Sequence, residues 1–319
     1  MKATFARIME NRWFSRMLSP MFLLLLALLF SLLTGGRFSN PRNLRMVLEQ
    51  ALVVATVATG AVFIFATGNV NISMGAATAL IATLAAQAYL ASNSLAVMFL
   101  VALAAGAFTL AVTALLSTAL HVRVLYITVV MMTLLSSLQK GILGSSTIQI
   151  PYEFTSALKN ANVPLYIFLG FLVFCIILFH FTGFGRKLRY IGINDVCAEL
   201  TGFKKSRYLF LAFVVAGIGV GLGAVMTIIR NGSITTDTAA SLNMDCMLAI
   251  VLGGMSAFGG SRSYVHSAII GAVTVTVLNN GLLMIGVSSM ILQAIRGVIF
   301  IILLVLSQKR PKGLPSQEG

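Results

Sequence analysis

TGFGRKLRYIGINDVCAELTGFKKSRY, residues 182–208, is a polar, basic island between two long apolar runs. It carries Arg186, Lys187, Arg189, Lys204, Lys205 and Arg207 against only Asp195 and Glu199. A basic cluster held between apolar runs marks the cytoplasmic side of a membrane protein, because cationic loops resist translocation. The middle of the island reads as a short helix: Asn194 or Asp195 caps the first turn, residues 196–200 propagate it, and Gly202 ends it. A membrane protein that builds a capped helix into its most basic loop offers that loop to a cytoplasmic partner.

The runs on either side, 163–181 and 209–229, are two of ten: 17–34, 47–67, 72–90, 95–120, 124–143, 246–258, 264–284 and 290–307 are the others. Several approach the ~20 residues that a helix needs to cross ~30 Å of hydrocarbon. The eighth is short, and Gly253 and Gly254 are positioned to break it. The whole chain of 319 residues is 58% hydrophobic and 9% charged, with a mean hydropathy of +0.98; soluble domains carry about 25% charged residues. The expectation is an all-α, polytopic membrane protein of about ten transmembrane helices, one domain over 1–319, with no Pro/Gly/Ser linker to divide it.

Charge fixes the orientation. With the N-terminus inside, the inside loops hold 15 basic residues: Lys2, Arg7, Arg12, Arg16, Arg123, the six of the island, Arg262, Lys309, Arg310 and Lys312. The outside loops hold 6, Arg37, Arg42, Arg45, Lys140, Lys159 and Arg230, and Arg296 alone falls within a span. Both termini are therefore expected in the cytoplasm. The net charge of +14 serves orientation and lipid headgroups, so no nucleic-acid partner is expected. Run 17–34 follows a basic N-terminus as a signal peptide would, but lacks a small-x-small cleavage site and reads as an uncleaved span. Cys175, Cys197 and Cys246 are too scattered for a disulfide framework or metal cluster.

Few residues are suited to covalent or coupling chemistry. A proton- or sodium-coupled carrier keeps acids at membrane depth, whereas Glu49, Glu153, Asp237 and Asp245 fall near span ends or in outside loops. No G-x-x-x-x-G-K-[ST] occurs, so a P-loop energy source is absent. His121, His180 and His266 stand singly beside spans, and there is no H-E-x-x-H or G-x-S-x-G; no metal, cofactor or enzymatic activity is expected. VLGGMSAFGG, residues 251–260, has no following Lys and reads as a tight turn or close helix packing. Uncharged polar groups are the better candidates for a path. Asn69, Asn71 and Ser73 interrupt two apolar runs, and Asn279, Asn280 and Gln293 lie near helix ends. Amides and hydroxyls bind a neutral polyhydroxylated solute without demanding a counter-charge, although capping and interhelical bonding are the plainer uses. Arg296 is expected to snorkel, or to pair near the outer face.

GNVNISMG (68–75) resembles the G-x-x-D-L-S-V-G segment of ribose-type ABC transporter permeases, and YIGINDVCAELTG (190–202) resembles their A-x-G-x-N-x-x-A-A-x-x-x-G cytoplasmic loop. VLGGMSAFGG (251–260) and LNNGLLMIGVS (278–288) are similar to their V-L-G-G-x-S-x-x-G-G and L-x-N-G-L-x-x-x-G-V-S segments, in the same order. The four lie between residues 68 and 288, and the resemblance extends from about Asn40 to Ser307. The resemblance implies a type II-like importer permease fold in the bacterial cytoplasmic (inner) membrane, paired with a second, identical or different, permease subunit. It implies cytoplasmic ABC ATPase subunits that hold ATP and Mg, and a periplasmic or lipid-anchored binding protein that delivers a monosaccharide or similar small solute. Asn194, Asp195, Glu199 and Gly202 become ATPase-coupling positions by motif match. The acid usual in the first segment is Asn71 here, which bears on solute identity more than on transport, and a small residue common in the loop is Cys197. A stand-alone secondary carrier or facilitator for a polar solute is the alternative.

Overall fold

The computed structural model describes residues 12–256, 259–260 and 263–307. Lys2, Arg7, Phe258, Arg262, Lys309, Arg310 and Lys312 lie outside the described residues, as do the side chains of Arg12, Arg16 and Asp195.

Each of the ten apolar runs coincides with a helix. In chain order the helices are α1 (Arg12–Leu33), α2 (Pro41–Ala66), α3 (Met74–Ser92), α4 (Leu95–Ala119), α5 (Val124–Leu143), α6 (Tyr152–Asn160), α7 (Val163–Ile176), α8 (Gly183–Ile193), α9 (Asp195–Leu200), α10 (Lys205–Asn231), α11 (Leu242–Leu252), α12 (Val265–Met284) and α13 (Ser289–Ser307). Among the described residues, seven segments are long and apolar enough to cross a membrane: α2, α3, α4, α5, α7 with its π-turn Ile177–Phe181, α10 and α12. Pro20–Leu33 of α1, Leu242–Leu252 (α11) and Ser289–Leu303 of α13 are shorter apolar stretches among the described residues. The chain is a multi-pass, all-α membrane protein. Among the described residues the one departure is a two-residue antiparallel pairing of Ile148–Gln149 with Ser233–Ile234, which ties the α5–α6 connection to the exit of α10.

Two helices form the axis. α2 starts at Pro41, whose missing N–H costs nothing at a first turn, with the Asn40 side chain accepting from Arg42 N–H at 3.0 Å. From Ala51 to Ala66 it is buried on every side, as a helix apolar all round must be. α10 reaches it through small residues: a Cβ on Gly60 would stand 3.1 Å from the Ala216 backbone. The opposite face of α10 meets α4, where a Cβ on Gly106 would fall 2.3 Å from Gly217 O. Helices of a membrane bundle gain nothing from hiding leucine from lipid, so close backbone approach at small residues supplies the association. α4, α5 and α7 accordingly turn Leu100, Phe108, Val130 and Phe174 outward, where acyl chains are an ordinary partner.

The basic island and residues 259–260 meet at one end of the bundle. Gly192 packs on Ala66 O and on Gly260 N, and Gly259 packs on Gly68 and Phe65 O. Arg230, at the far end of the 27-residue α10, is about 35–40 Å away at 1.5 Å per residue.

Candidate functional site

Asn194 decides the local structure of the basic island. Its extended backbone (φ −158°, ψ 109°) stops α8, and its Oδ1 accepts from Cys197 N–H at 3.1 Å to open α9. Gly202, at φ +86°, reverses the chain after Leu200; an L side chain rarely adopts that conformation. Its N–H donates to Glu199 O at 2.9 Å, and Phe203 N–H donates to Ala198 O at 3.2 Å. The resulting single turn seats Ala198 inward and leaves Glu199 and Leu200 exposed, Leu200 at 82%.

Charge alone gave the island's cations an orienting part, and the structure adds a mechanical one. Lys187 Nζ donates to the Tyr208 hydroxyl at 2.8 Å and lies 5.4 Å from the Phe203 ring centroid, so it staples the two ends of the island together. Arg189 donates to Phe179 O at 3.3 Å and lies 5.0 Å from that ring centroid. α8 itself was not foreseen. Gly185 and Gly192 weaken its helical signal, yet both sit where a Cβ would come within about 2 Å of a neighbouring carbonyl oxygen, Phe179 O at 2.0 Å and Ala66 O at 2.1 Å.

The second group of candidates sits in the non-helical link between α2 and α3. Asn69 is half-buried and donates to Thr67 Oγ1 at 3.0 Å. Asn71, 2% exposed, accepts at Oδ1 from both the N–H and the hydroxyl of Ser73, each at 2.8 Å. Its Nδ2 is buried without a hydrogen-bond partner among the described residues. Irregular backbone at membrane depth is tolerated only under a protein cover, and here Gly259 covers one end of the link. At the other end the N–H of Gly75 donates to Asn243 Oδ1. Replacing Asn71 by Ala orphans the Ser73 N–H and hydroxyl, and we expect a loss of about 1–3 kcal/mol, read as a lower melting temperature in detergent.

Asn279, Asn280 and Gln293 divide. Asn279 is buried, Asn280 Oδ1 accepts from Asn43 Nδ2 at 3.0 Å and so joins α12 to the start of α2, and Gln293 is exposed on α13. The three are not brought together as one polar surface.

What the sequence reading missed lies beside Asn279. Asp245, placed above near a span end, is 2% exposed in the first turn of α11, and Arg296 is 6% exposed on α13. Arg296 Nε lies 3.4 Å from Asp245 Oδ1 and donates to Asn279 Oδ1 at 2.8 Å. Asn279 Nδ2 donates to Asp245 Oδ1 at 3.0 Å, and the Ser241 hydroxyl donates to Oδ2 at 3.1 Å. Of the two expectations for Arg296, pairing is therefore realised, and snorkelling is replaced because a buried carboxylate stands within reach. Asn243 and Asp245, two residues apart, make the first turn of α11 a hub: one reaches α3, the other α12 and α13. The available signal was Asn-Met-Asp opening an apolar helix, in a chain with a single cation inside a span. Among the described residues no group of His, Cys, Asp and Glu is arranged to hold a metal.

Comparison with known proteins follows this geometry. The chain is 26% identical over 313 residues to the ribose import permease protein RbsC of Escherichia coli (strain K12), covering 95% of this chain and 97% of that protein. It is 27% identical over 296 residues to the Bacillus subtilis (strain 168) protein of the same name, covering 90% and 91%. It is also 27% identical over 300 residues to the autoinducer 2 import system permease protein LsrD of Photorhabdus temperata, covering 89% and 90%. No solved structure matches. A family model described as branched-chain amino acid transport system / permease component matches residues 43–306, so the match takes in α2 through nearly all of α13, the capped island, the buried link and the α11 hub. The chain belongs to that family of transport permeases.

Proposed function

We propose that this chain is the membrane-spanning subunit of an ABC importer that carries a monosaccharide or a similar small neutral polar solute into the cytoplasm. The observation that carries the reading is α9: a short, doubly capped helix that presents Glu199 and Leu200 outward from the end of the bundle where α2, α8 and residues 259–260 meet. A push on α9 travels through α8, whose Gly192 lies against the last residue of α2 and so against the start of the polar link. Relatives named for ribose and autoinducer 2 import favour a hydroxyl-rich solute. Separate ATPase subunits would bind ATP and Mg and dock on α9; a binding protein would deliver solute at the opposite face; a second permease subunit would complete the pathway.

The stand-alone carrier needs an acid free to bind its coupling ion. The one buried acid among the described side chains, Asp245, is already paired with Arg296, which favours the driven subunit. The test is reconstitution in liposomes with a partner ABC ATPase and a solute-binding protein. Glu199→Arg reverses a charge on the docking face and Gly202→Pro removes a conformation only glycine adopts readily. Together they should cut solute-stimulated ATP hydrolysis about tenfold or more, equivalent to about 1.4 kcal/mol of lost docking. Full stimulation in that variant, or uptake by the permease alone, would sink the proposal.

A further inference from the structure

The positive-inside pattern leaves six basic residues at the end of the chain's helices opposite the island, and three of them converge. Arg45 on α2, Lys159 at the end of α6 and Arg230 at the end of α10 line one cavity of ≈ 60 Å³. Its only acid is Glu49, which pairs with Arg45 at 3.3 Å. Lys159 spends one of its three N–H bonds on Arg230 O at 2.8 Å, leaving two. The Arg230 guanidinium, half-buried, has no hydrogen-bond partner among the described residues. Three cations face one carboxylate in the lining, and the other acid whose charge reaches Arg230, Asp245, is already paired with Arg296, so the cavity keeps a surplus of positive charge.

Apart from Asn162 the rest of the lining is apolar, including Leu52 and Leu165, and Leu48 on the same rim is 51% exposed. The cavity opens at its rim, and three converging cations suit a phosphate better than a neutral solute. Cations at the mouth with leucines running away along α2 match a phosphodiester followed by acyl chains. The surplus positive charge repels the ammonium of a zwitterionic headgroup, which selects an anionic one.

We propose that this cavity is a headgroup site for an anionic phospholipid of the leaflet opposite the island, with the phosphate held by Arg230, Lys159 and Arg45 and a chain lying along Leu48. The six basic residues of the island face the other leaflet and are separate from it. The inference does not depend on the transport reading, because its readout is lipid retention.

The purified chain, in nanodiscs of equal phosphatidylglycerol and phosphatidylcholine, is released into a mass spectrometer under native conditions and its retained lipids are counted. One phosphatidylglycerol should be retained preferentially. Arg230→Gln and Lys159→Gln should each lower that preference about fivefold, as expected for one cation at a lipid surface, while Arg123→Gln, at the other end of the bundle, should leave it unchanged. Glu49→Gln, which adds net positive charge without removing a cation, should raise it, so the proposal remains exposed even if Arg230→Gln fails to fold. Equal retention of the two lipids would overturn the site, as would a preference indifferent to Arg230→Gln, Lys159→Gln and Glu49→Gln, which would assign these cations to a protein partner. Displacement of the lipid by millimolar glycerol 3-phosphate would make it a site for a soluble anion instead.

Discussion

Gly271→Val should abolish recovery of folded permease, and Gly271→Ala should already reduce it severely. A Cβ built on Gly271 lies 1.6 Å from Ala249 O, and one on Gly253 lies 1.8 Å from Ser267 O. Both obstacles are backbone, which no rotamer change can move aside. α11 and α12 therefore pack through glycine on each side, and any side chain at either position forces them apart. Separation also moves Asp245 on α11 from Asn279 on α12, so the polar cluster fails with the packing. Overpacking in cores costs about 1–3 kcal/mol, and occasionally more; two backbones held this close place Gly271→Ala at the upper end. The comparison is Gly297→Ala on α13, where the new Cβ meets nothing within 4 Å. That change should be neutral or stabilise by up to about 1 kcal/mol through helix propensity. Monodisperse yield and melting temperature in detergent measure both. Equal behaviour of Gly271→Ala and Gly297→Ala would show that α11 and α12 are not joined in this way.

The contrast between those two glycines also marks where sequence reading stops. All ten apolar runs became helices because length and hydropathy act locally, and the caps of α9 were legible because Asn194 and Gly202 act on their own neighbours. The break expected at Gly253 and Gly254 is also local: α11 ends at Leu252, and Gly254 adopts φ +88°. α8 was not legible, since the glycines that permit its contacts with Phe179 and Ala66 are the same residues that lower its helical propensity. Tertiary packing, which no window of sequence contains, outweighs propensity there. The polar link was visible as Asn69, Asn71 and Ser73, but not its closure by Asn243, 168 residues from Gly75. Gln293 looked equivalent to Asn279 in pattern and is exposed where Asn279 is buried. On α13 the neighbouring Leu292 is buried, so one residue's rotation about the helix, roughly 100°, decides the fate of Gln293, and hydropathy does not resolve it. The functional roles of Asn194, Glu199 and Gly202 rest on the motif and on the exposure of α9, and stand or fall with the coupling experiment.

Breaking the Asp245–Arg296 pair from either side should cost more than removing both partners. Arg296→Met leaves the Asp245 carboxylate buried with the Asn279 and Ser241 hydrogen bonds and no ion-pair partner within 4 Å among the described residues; Asp245→Leu leaves a guanidinium buried against the Asn279 oxygen. An uncompensated buried charge costs about 3–5 kcal/mol, whereas replacing both members with apolar groups of similar volume is often neutral or stabilising. The double variant Asp245→Leu, Arg296→Met should thus recover most of the stability that either single change loses, and the cycle formed by the four proteins should show a coupling of about 3 kcal/mol or more. Additive losses would mean that the two side chains do not share an ion pair. The double variant then separates structure from transport. If α11 must leave α13 during each cycle, an apolar replacement holds the helices without the exchange of partners that charges permit, and uptake falls in a protein that melts normally. If the hub is fixed throughout the cycle, uptake in the double variant matches wild type, and the moving parts lie at the link between α2 and α3, whose buried Asn71 amide still has a hydrogen bond to offer.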